Sequence, residues 1–409
     1  MIIRSAKRTA LTGTAALASG LLALGPAATA HAARPQSPPA LTRTDPLPPA
    51  PAPAYVDSSD LYGSGTVARP GPGTPAPPKD VSSLSWLVSD ADSGAVLAAH
   101  DAHRKLPPAS TLKTLFALTT MPHLSAASRH RVTQADLSGI GEGSSLVGVE
   151  QGHSYRVADL WRGVFLSSGN DAVHVLASLN GGWDTTVAEM QRRARQLGAL
   201  DTHVVSCDGY DTPGQVSSAF DLAVFGRTGL ADPQFASYAS TSDAQFPGEG
   251  GKSFGIQNTN RLLSGAHGVR TYPGMIGVKN GYTTNAGNTL VAAARHGNRT
   301  ILVTLMNPQS GEPDAVYEEA RRLLDWGFTA DGHTTPVGSL APAPQVKAAG
   351  ADTAKSGRAK AEAADRHGAV AQASSTGDGT GLLVPLALVG AAVLAGAALF
   401  LVRRARRAR

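Results

Sequence analysis

The chain has 409 residues, which is enough for one large domain or two ordinary ones with a sizeable core. Its net charge of +5 is concentrated at the ends: residues 1–32 carry +3 and residues 403–409 carry +5, leaving −3 between them. The central part therefore has no basic stripe of the kind that binds nucleic acid. The single cysteine, Cys207, excludes an internal disulfide and is expected to be a small buried residue.

The N-terminal segment, residues 1–32, is predicted to be a secretory signal peptide. It has a basic start, an apolar run over residues 10–24, and small residues before the predicted cleavage site after Ala32. A retained anchor is the alternative, but the apolar run is short and contains two glycines. Residues 33–79 are rich in proline and alanine, which predicts a disordered linker because such a composition cannot bury a core.

Folded sequence is expected over residues 80–335. Two strands flank the turn Asp92-Ser93-Gly94 and predict a hairpin. The predicted elements then follow in chain order: a helix after Ser110; helices near 157–166, 170–179 and 185–197; a helix capped by Ser218; strands near 275–279, 288–295 and 300–306; and a helix over 313–326. Strands at both ends with helices between them indicate an α+β fold, in which an antiparallel sheet carries helices and a helical subdomain is added.

The C-terminal region is predicted to hold a membrane anchor. Residues 336–380 resemble the first linker in composition and are predicted to be disordered. Residues 381–402 are predicted to form a transmembrane helix, since the 21 residues from Leu382 to Val402 carry no charge. The basic tail, residues 403–409, should stay in the cytoplasm, so the folded region would lie on the outer, cell-wall side. A sortase-cleaved tail is the alternative, but no Leu-Pro-x-Thr-Gly signal precedes the span.

The segment Pro-Ala-Ser110-Thr-Leu-Lys113-Thr is the first candidate for catalytic chemistry. Residues three apart on a helix lie on one face, so the Ser110 hydroxyl and the Lys113 amine should come within hydrogen-bond reach. Serine is a poor nucleophile until a base takes its proton. A lysine can be that base only when its amine is neutral, as burial or a nearby cation would make it. Alone, this spacing is also common in surface helices.

Two further segments follow in order, Ser168-Gly-Asn170-Asp-Ala and Gly-Val-Lys279-Asn280-Gly281-Tyr-Thr. Serine–x–x–lysine, serine–x–asparagine and lysine–threonine–glycine form the motif set of penicillin-binding proteins and serine β-lactamases. With its flanking residues, the chain resembles the low-molecular-mass penicillin-binding D-alanyl-D-alanine carboxypeptidases over about residues 80–330. No cofactor is expected, since the histidines lack the metal-binding His-Glu-x-x-His spacing.

The resemblance implies a role for each motif residue. Ser110 would be the nucleophile that forms an acyl-enzyme, Lys113 its base, and Ser168 a proton shuttle to the leaving D-alanine. The other implied residues bind substrate: Asn170 the peptide backbone, Lys279 and Gly281 the strand that edges the cleft, Tyr282 the oxyanion through its backbone N–H together with that of Ser110, and Thr283 the terminal carboxylate. The substrate would be a peptidoglycan stem peptide ending in D-Ala-D-Ala, and β-lactams would be covalent inhibitors.

Several structural alternatives remain open for these residues. Ser168 and Asn170 could simply cap a helix, because both residue types favour that position. Lys279 could be a solvated strand residue, and Asp171 is more consistent with a structural cap than with a catalytic acid. Asn280 stands where the family usually has threonine; we expect its side chain to point away while Thr283 supplies the hydroxyl.

The leading hypothesis is therefore a membrane-anchored serine D,D-carboxypeptidase. A β-lactamase would need a deacylating glutamate in a Glu-x-x-Leu-Asn loop, and none lies between the second and third motifs. Endopeptidase or transpeptidase activity uses the same acyl-enzyme and stays open. A protein of a different class, an inactive relative that only binds peptidoglycan, would also fit the fold. A labelled penicillin separates these alternatives.

Overall fold

The computed structural model describes residues 56–341, and the architecture below refers to that part of the chain. Its strands are β1 (Thr66–Ala68), β2 (Ser83–Asp90), β3 (Ala95–His100), β4 (Arg129–Arg131), β5 (Ser154–Arg156), β6 (Asp243–Pro247), β7 (Ser253–Gln257), β8 (Met275–Thr283), β9 (Gly287–His296), β10 (Arg299–Pro308) and β11 (Gly338–Ser339). Its helices are α1 (Lys113–Thr120), α2 (Val157–Leu166), α3 (Asn170–Leu179), α4 (Trp183–Gln196), α5 (Ala219–Leu230), α6 (Pro233–Ala239), α7 (Arg261–Ser264) and α8 (Ala315–Ala330).

The main sheet is antiparallel and runs in the order β1-β3-β2-β10-β9-β8, with β11 also paired to β3. The predicted hairpins β2–β3 and β9–β10 are confirmed, and Gly94 supplies the left-handed residue of the first turn, with a φ of 84°. Strand β8 ends the order, so the strand with the third motif has one edge free of sheet partners. This free edge borders the groove, which is the space between β8, the turn that holds Ser110 and the second motif, residues 168–170.

The two faces of the sheet are covered by different helices. Strand residues such as Val88 and Val303 face α8, where Val316 and Leu324 are buried as predicted. Alternate strand residues face α1 and α5 on the opposite side, because successive side chains of a strand point to opposite faces. The α+β class is thus confirmed, and the sheet separates two apolar layers.

The helical subdomain packs beside the apolar layer that the sheet forms with α1 and α5. Helix α2 has the predicted bounds, and its Trp161 packs against Phe116 of α1 with ring centroids 5.5 Å apart. Helix α5 starts as predicted, since the Ser218 hydroxyl accepts a hydrogen bond from the Asp221 amide at 3.2 Å. Helix α4 starts two residues earlier than the predicted 185: its N-cap is Gly182, and Asp184 lies in the first turn.

Both predicted boundaries of the folded region need correction. The linker prediction for residues 33–79 is wrong for its last part, where Leu61 is buried and β1 pairs with β3. Trp326 also donates to the Pro75 carbonyl at 2.9 Å. The boundary at 335 is short as well, since β11 and the buried Leu340 belong to the fold. Composition hid these contacts because a few apolar residues and backbone groups make them.

The remaining parts of the predicted organisation lie outside the described residues. These are the signal peptide 1–32, the linker up to residue 55, residues 342–380, the span 381–402 and the tail 403–409. Within residues 56–341, no helix has both the length and the apolar character needed to cross a bilayer.

Candidate active site

Ser110 and Lys113 lie side by side at the start of α1. Ser110 is in a short 3₁₀ turn, Ala109–Leu112, and Lys113 is the first residue of the α-helix that continues from it. The Lys113 amine donates to the Ser110 hydroxyl at 2.8 Å. The predicted contact is therefore present, and it follows from the three-residue spacing on one helical face.

Lys113 is buried in a site that disfavours its charge. Only 1% of the residue is exposed, and its amine makes a second hydrogen bond, at 2.7 Å, to the Asp208 backbone carbonyl. Burial lowers the pKa of Lys113 to about 8, although the nearby Asp208 and Asp171 carboxylates oppose this shift. Near neutral pH an appreciable fraction of this amine is consequently unprotonated and able to accept a proton.

The backbone around Ser110 is held in an unusual conformation. Ala109 has a φ of +49°, a left-handed value that costs energy for a residue with a side chain. The preceding carbonyl, that of Pro108, accepts hydrogen bonds from Thr111 and Thr289 hydroxyls at 2.5 and 2.9 Å. Together the two bonds hold the Pro108 carbonyl, and with it the turn, in place. The direction of the Ser110 side chain is therefore set before any substrate binds.

The second motif lies in the turn between α2 and α3. Ser168 has a φ of +57° and is 6% exposed, and its hydroxyl has no partner among the described residues. Asn170 begins α3 and donates through its side-chain amide to the Ser144 hydroxyl at 3.0 Å. The N-cap of α3 is Gly169, and the cap has no side-chain hydrogen bond. The alternative that Ser168 and Asn170 serve as helix caps is therefore wrong.

Asp171 holds the loop beside this motif. Its carboxylate accepts hydrogen bonds of 2.8–3.1 Å from the backbone amides of Val147, Gly148 and Val149. The carboxylate also accepts from Ala172, the next residue of α3. All of these contacts are to protein backbone, so Asp171 has a structural role, although it holds this loop rather than capping the helix as expected.

Lys279 is also buried, which excludes the alternative of a solvated strand residue. It is 2% exposed on β8, and its amine donates to the Asn280 carbonyl at 2.9 Å. Burial, reinforced by the charge of Lys113, places the pKa of Lys279 well below its usual value. Because the charge of Lys113 disfavours a charge on Lys279, the two amines titrate as a coupled pair.

Asn280 points away from the groove, as expected. Its side-chain oxygen accepts from the Thr259 hydroxyl at 2.8 Å, and its amide donates to the Tyr317 hydroxyl of α8 at 3.3 Å. Thr283 lies four residues after Lys279 and thus on the same face of the strand. The Thr283 hydroxyl accepts from the Ala286 amide at 3.1 Å and retains its own proton for donation.

Position 281 requires glycine because β8 passes very close to the turn that holds Ser110. A Cβ at this position would lie 2.6 Å from the Ser110 nitrogen and 2.7 Å from the Thr289 hydroxyl. The neighbouring Tyr282 is 68% exposed at the rim. The structure therefore brings the first and third motifs into contact through the backbone, with the side chains of Lys113 and Lys279 nearby.

Two contributors to the site were missed from the sequence. Asp208 contributes through its backbone carbonyl, which carries no sequence signature. Ser144 supports Asn170 from a loop 26 residues earlier in the chain. The dipeptide Asp208-Gly209 does indicate a turn, but only the fold shows that this turn lies against Lys113.

Comparison with known proteins places this geometry in a family. Residues 72–310, more than half of the chain, match the family Peptidase_S11, described as D-alanyl-D-alanine carboxypeptidase. The chain therefore belongs to the D-alanyl-D-alanine carboxypeptidase family, and the resemblance inferred from the three motifs is confirmed.

Individual relatives agree with the family assignment. The chain is 39% identical over 272 residues to the D-alanyl-D-alanine carboxypeptidase DacB2 of Mycobacterium tuberculosis, covering 66% of this chain and 90% of the relative. It is 34% identical to DacD of Escherichia coli over 277 residues, covering 64% and 67% respectively.

A solved structure of similar architecture supports the same conclusion. The crystal structure of a D-alanyl-D-alanine carboxypeptidase from Mycobacterium tuberculosis H37Rv aligns with a TM-score of 0.60 at 38% identity. The alignment covers 67% of this chain and all of that one. The chain is a serine-type D-alanyl-D-alanine carboxypeptidase that acts on peptidoglycan stem peptides.

Proposed function

We propose that Ser110 is the nucleophile of this enzyme and Lys113 the base that activates it. Lys113 takes the hydroxyl proton while Ser110 Oγ attacks the carbonyl carbon between the two terminal D-alanines. The carbon–nitrogen bond then breaks, and the nitrogen of the terminal D-alanine gains a proton as it leaves. Water next attacks the ester, which releases the shortened peptide and returns a proton to Ser110. The 2.8 Å contact between Lys113 and Ser110 is the observation that supports this assignment most directly.

The two buried lysines divide one proton between them in this scheme. A substrate carboxylate that binds near Lys279 favours the charged form of that amine. Because the lysines repel each other when both are charged, a charged Lys279 holds Lys113 neutral. Substrate binding would thereby produce the base at the moment it is needed.

Ser168 carries the proton to the leaving group, and Asn170 aligns the peptide. Ser168 is 6% exposed, and its buried hydroxyl has no partner among the described residues, so it can rotate between Lys113 and a bound substrate. The Asn170 side-chain oxygen is likewise unpartnered there, while its amide is held by Ser144. A fixed acceptor of this kind suits a peptide N–H.

Thr283 and the backbone N–H groups of Ser110 and Tyr282 complete the proposed substrate site. The Thr283 hydroxyl contacts the terminal carboxylate, and the two N–H groups hold the oxyanion that forms during attack. The position of Gly281 supports this arrangement, because it brings the β8 backbone close to the Ser110 amide. β-Lactams would enter by the same route and acylate Ser110.

We further propose that the enzyme is exported and remains anchored in the cytoplasmic membrane. The signal-like residues 1–32 and the uncharged stretch from Leu382 to Val402 support this placement. In this proposal, the linker predicted from composition for residues 336–380 would give the catalytic domain a reach of roughly 35 Å from the bilayer. Fractionation of cells, with and without deletion of residues 381–409, tests it: the deletion should release the protein from the membrane.

The catalytic assignment is tested with a labelled penicillin and a peptide ending in D-Ala-D-Ala. Ser110→Ala should lose both the adduct and D-alanine release, with a decrease on the order of 10⁵-fold, as when a nucleophile is removed from a cooperating unit. Ser125→Ala, at an exposed serine, is the matched control. Labelling that survives in Ser110→Ala would mean that another serine is the nucleophile. Rapid penicillin turnover by the wild type would favour a β-lactamase.

A further inference from the structure

The loop that follows Asp208 is fixed to the catalytic lysine. Lys113 binds the Asp208 carbonyl, and the Asp208 carboxylate accepts from the Tyr210 amide at 2.9 Å. Gln215, which is 4% exposed, donates to the Tyr210 carbonyl at 3.0 Å and accepts from the Ser206 amide at 2.7 Å. The next two side chains, Tyr210 and Asp211, therefore start from a position set by the active site.

Tyr210 reaches the wall that carries the second motif. Its hydroxyl donates to the Glu142 carbonyl at 2.8 Å, and its ring lies directly on Gly141. Any Cβ at Gly141 would be 2.6 Å from the ring, so the contact leaves no gap. The same loop continues to Ser144, which holds Asn170.

Asp211 reaches the opposite wall. Its carboxylate accepts from the Asn285 amide at 3.1 Å, in the turn that joins β8 to β9. That turn is closed by the bond from the Ala286 amide to the Thr283 hydroxyl. Asn285, which donates to Asp211, lies two residues after Thr283, the proposed contact for the substrate carboxylate. Asp211 is therefore close to the site proposed for that carboxylate.

We propose that Tyr210 and Asp211 form a bridge that closes the groove just beyond the terminal D-alanine. The inference rests on the proposed function, since it uses Thr283 to locate the carboxylate end. This dipeptide joins both walls and is linked to Lys113 through Asp208, so a peptide that continues past the second D-alanine meets protein. The Tyr210–Asp211 bridge therefore restricts the enzyme to chain ends and excludes internal D-alanyl bonds.

The chemistry at Ser110 is the same for terminal and internal bonds. In both, the bond from Ser110 Oγ to the carbonyl carbon forms, the carbon–nitrogen bond breaks, and the leaving amine gains a proton. Only the size of the leaving amine differs: free D-alanine in one case and a longer peptide in the other. Selection between carboxypeptidase and endopeptidase activity is consequently steric and lies with the bridge.

The test compares two substrates on the full-length enzyme in detergent. One peptide ends in D-Ala-D-Ala, and the other carries one additional glycine after the second D-alanine. For Tyr210→Ala and Asp211→Ala we expect kcat/KM on the extended peptide to rise about tenfold or more, in the range typical of removing a steric barrier. Asp211→Asn keeps an acceptor oxygen and should behave like the wild type.

Controls separate the bridge from a general structural role. Tyr62→Ala removes a tyrosine that is 71% exposed and should leave both rates unchanged. Variants that lower both rates together, or that fold and bind penicillin yet show no gain on the extended peptide, would overturn the bridge. If neither the wild type nor Tyr62→Ala released D-alanine from the peptide that ends in D-Ala-D-Ala, the proposed function would be refuted, and the bridge with it.

Discussion

At the scale of single residues, burial controls the chemistry of this site. Lys113 and Lys279 would ordinarily be charged at neutral pH, yet both side chains are buried, and the Lys113 amine contacts Ser110. Their pKa values fall because charge is costly there, and for Lys279 also because the other lysine is close. The lowered pKa is what the proposed role of Lys113 as a base requires, since lysine is ordinarily protonated at neutral pH.

The lowered pKa of Lys113 predicts a particular pH dependence of acylation. Because the neutral amine is the active form, the second-order rate of reaction with a labelled penicillin should rise with pH and level off above about 8. Below that value the slope should approach about tenfold per pH unit, since each unit changes the neutral fraction by that factor. A flat profile between pH 6 and 9 would count against Lys113 as the base.

Substitution of the base gives the matching control. Arginine keeps the positive charge at every accessible pH and cannot accept the proton. Lys113→Arg should therefore react slowly throughout and lose the pH-dependent rise. Lys105→Arg, at an exposed position eight residues before Lys113, should keep the wild-type profile.

At the scale of structural elements, the free edge of β8 and the turn before α1 form one unit. The contact depends on Gly281, where a Cβ would come 2.6 Å from the Ser110 nitrogen. The atoms that this Cβ would meet are the Ser110 nitrogen, the Thr289 hydroxyl and the Ala109 Cβ. Because the Thr289 hydroxyl is bonded to the Pro108 carbonyl and the other two atoms move only with the backbone, the strand would have to move away rather than a side chain rotate. The position of β8 is thus coupled to the geometry of the proposed oxyanion site, which consists of the N–H groups of Ser110 and Tyr282.

Gly281→Ala should impair acylation more than stability. A displacement of the order of 1 Å at a reacting centre can cost about 10²-fold in rate. We expect a decrease of about that size in the penicillin acylation rate. Gly255→Ala on β7 is the control, because a Cβ there meets only the end of the Gln245 side chain at 3.8 Å. Equal rates for the two variants would contradict the proposed coupling.

The loop beside the second motif depends on a single carboxylate. Asp171 binds the amides of three successive loop residues, Val147, Gly148 and Val149. Removing it leaves buried donors without partners, each worth about 1–3 kcal/mol. Asp171→Ala should therefore lower the free energy of unfolding by about 3 kcal/mol.

Denaturant titration measures this loss. The control is Asp184→Ala, at an exposed position in the first turn of α4, which should change stability by less than about 0.5 kcal/mol. If Asp171→Ala were as stable as that control, the backbone contacts would not hold the loop.

At the scale of the whole molecule, the fold begins earlier and ends later than composition suggests. Leu61 is 1% exposed, and its side chain packs against Gly338 of β11, so the two ends of the folded region meet. Leu61→Ala should cost about 2–5 kcal/mol, as for other buried leucines, whereas Leu200→Ala, at a position 71% exposed, should be nearly neutral. Thermal unfolding of both variants distinguishes a structural N-terminal segment from a linker.

Much of the secondary structure could be predicted because its signals are local. The hairpins, helix α2 and the Ser218 cap all follow from patterns within a few residues of chain. The β6–β7 hairpin was missed because its strands are short and partly exposed, so they show little hydrophobic alternation. The glycine-rich stretch before Ser253 is the turn of that hairpin.

The sequence by itself determined the class of enzyme, since three motifs in order identify the family and contain the residues proposed as nucleophile, base and cleft strand. The tertiary structure decided everything that depends on contacts between distant segments: the carbonyl of Asp208 on Lys113, the mutual effect of the two lysines, and the orientation of Asn280 toward α8. The physical reason is that reactivity of a serine and a lysine depends on burial, strain and neighbouring charge. These properties belong to a position in space, and residue identity alone does not specify them.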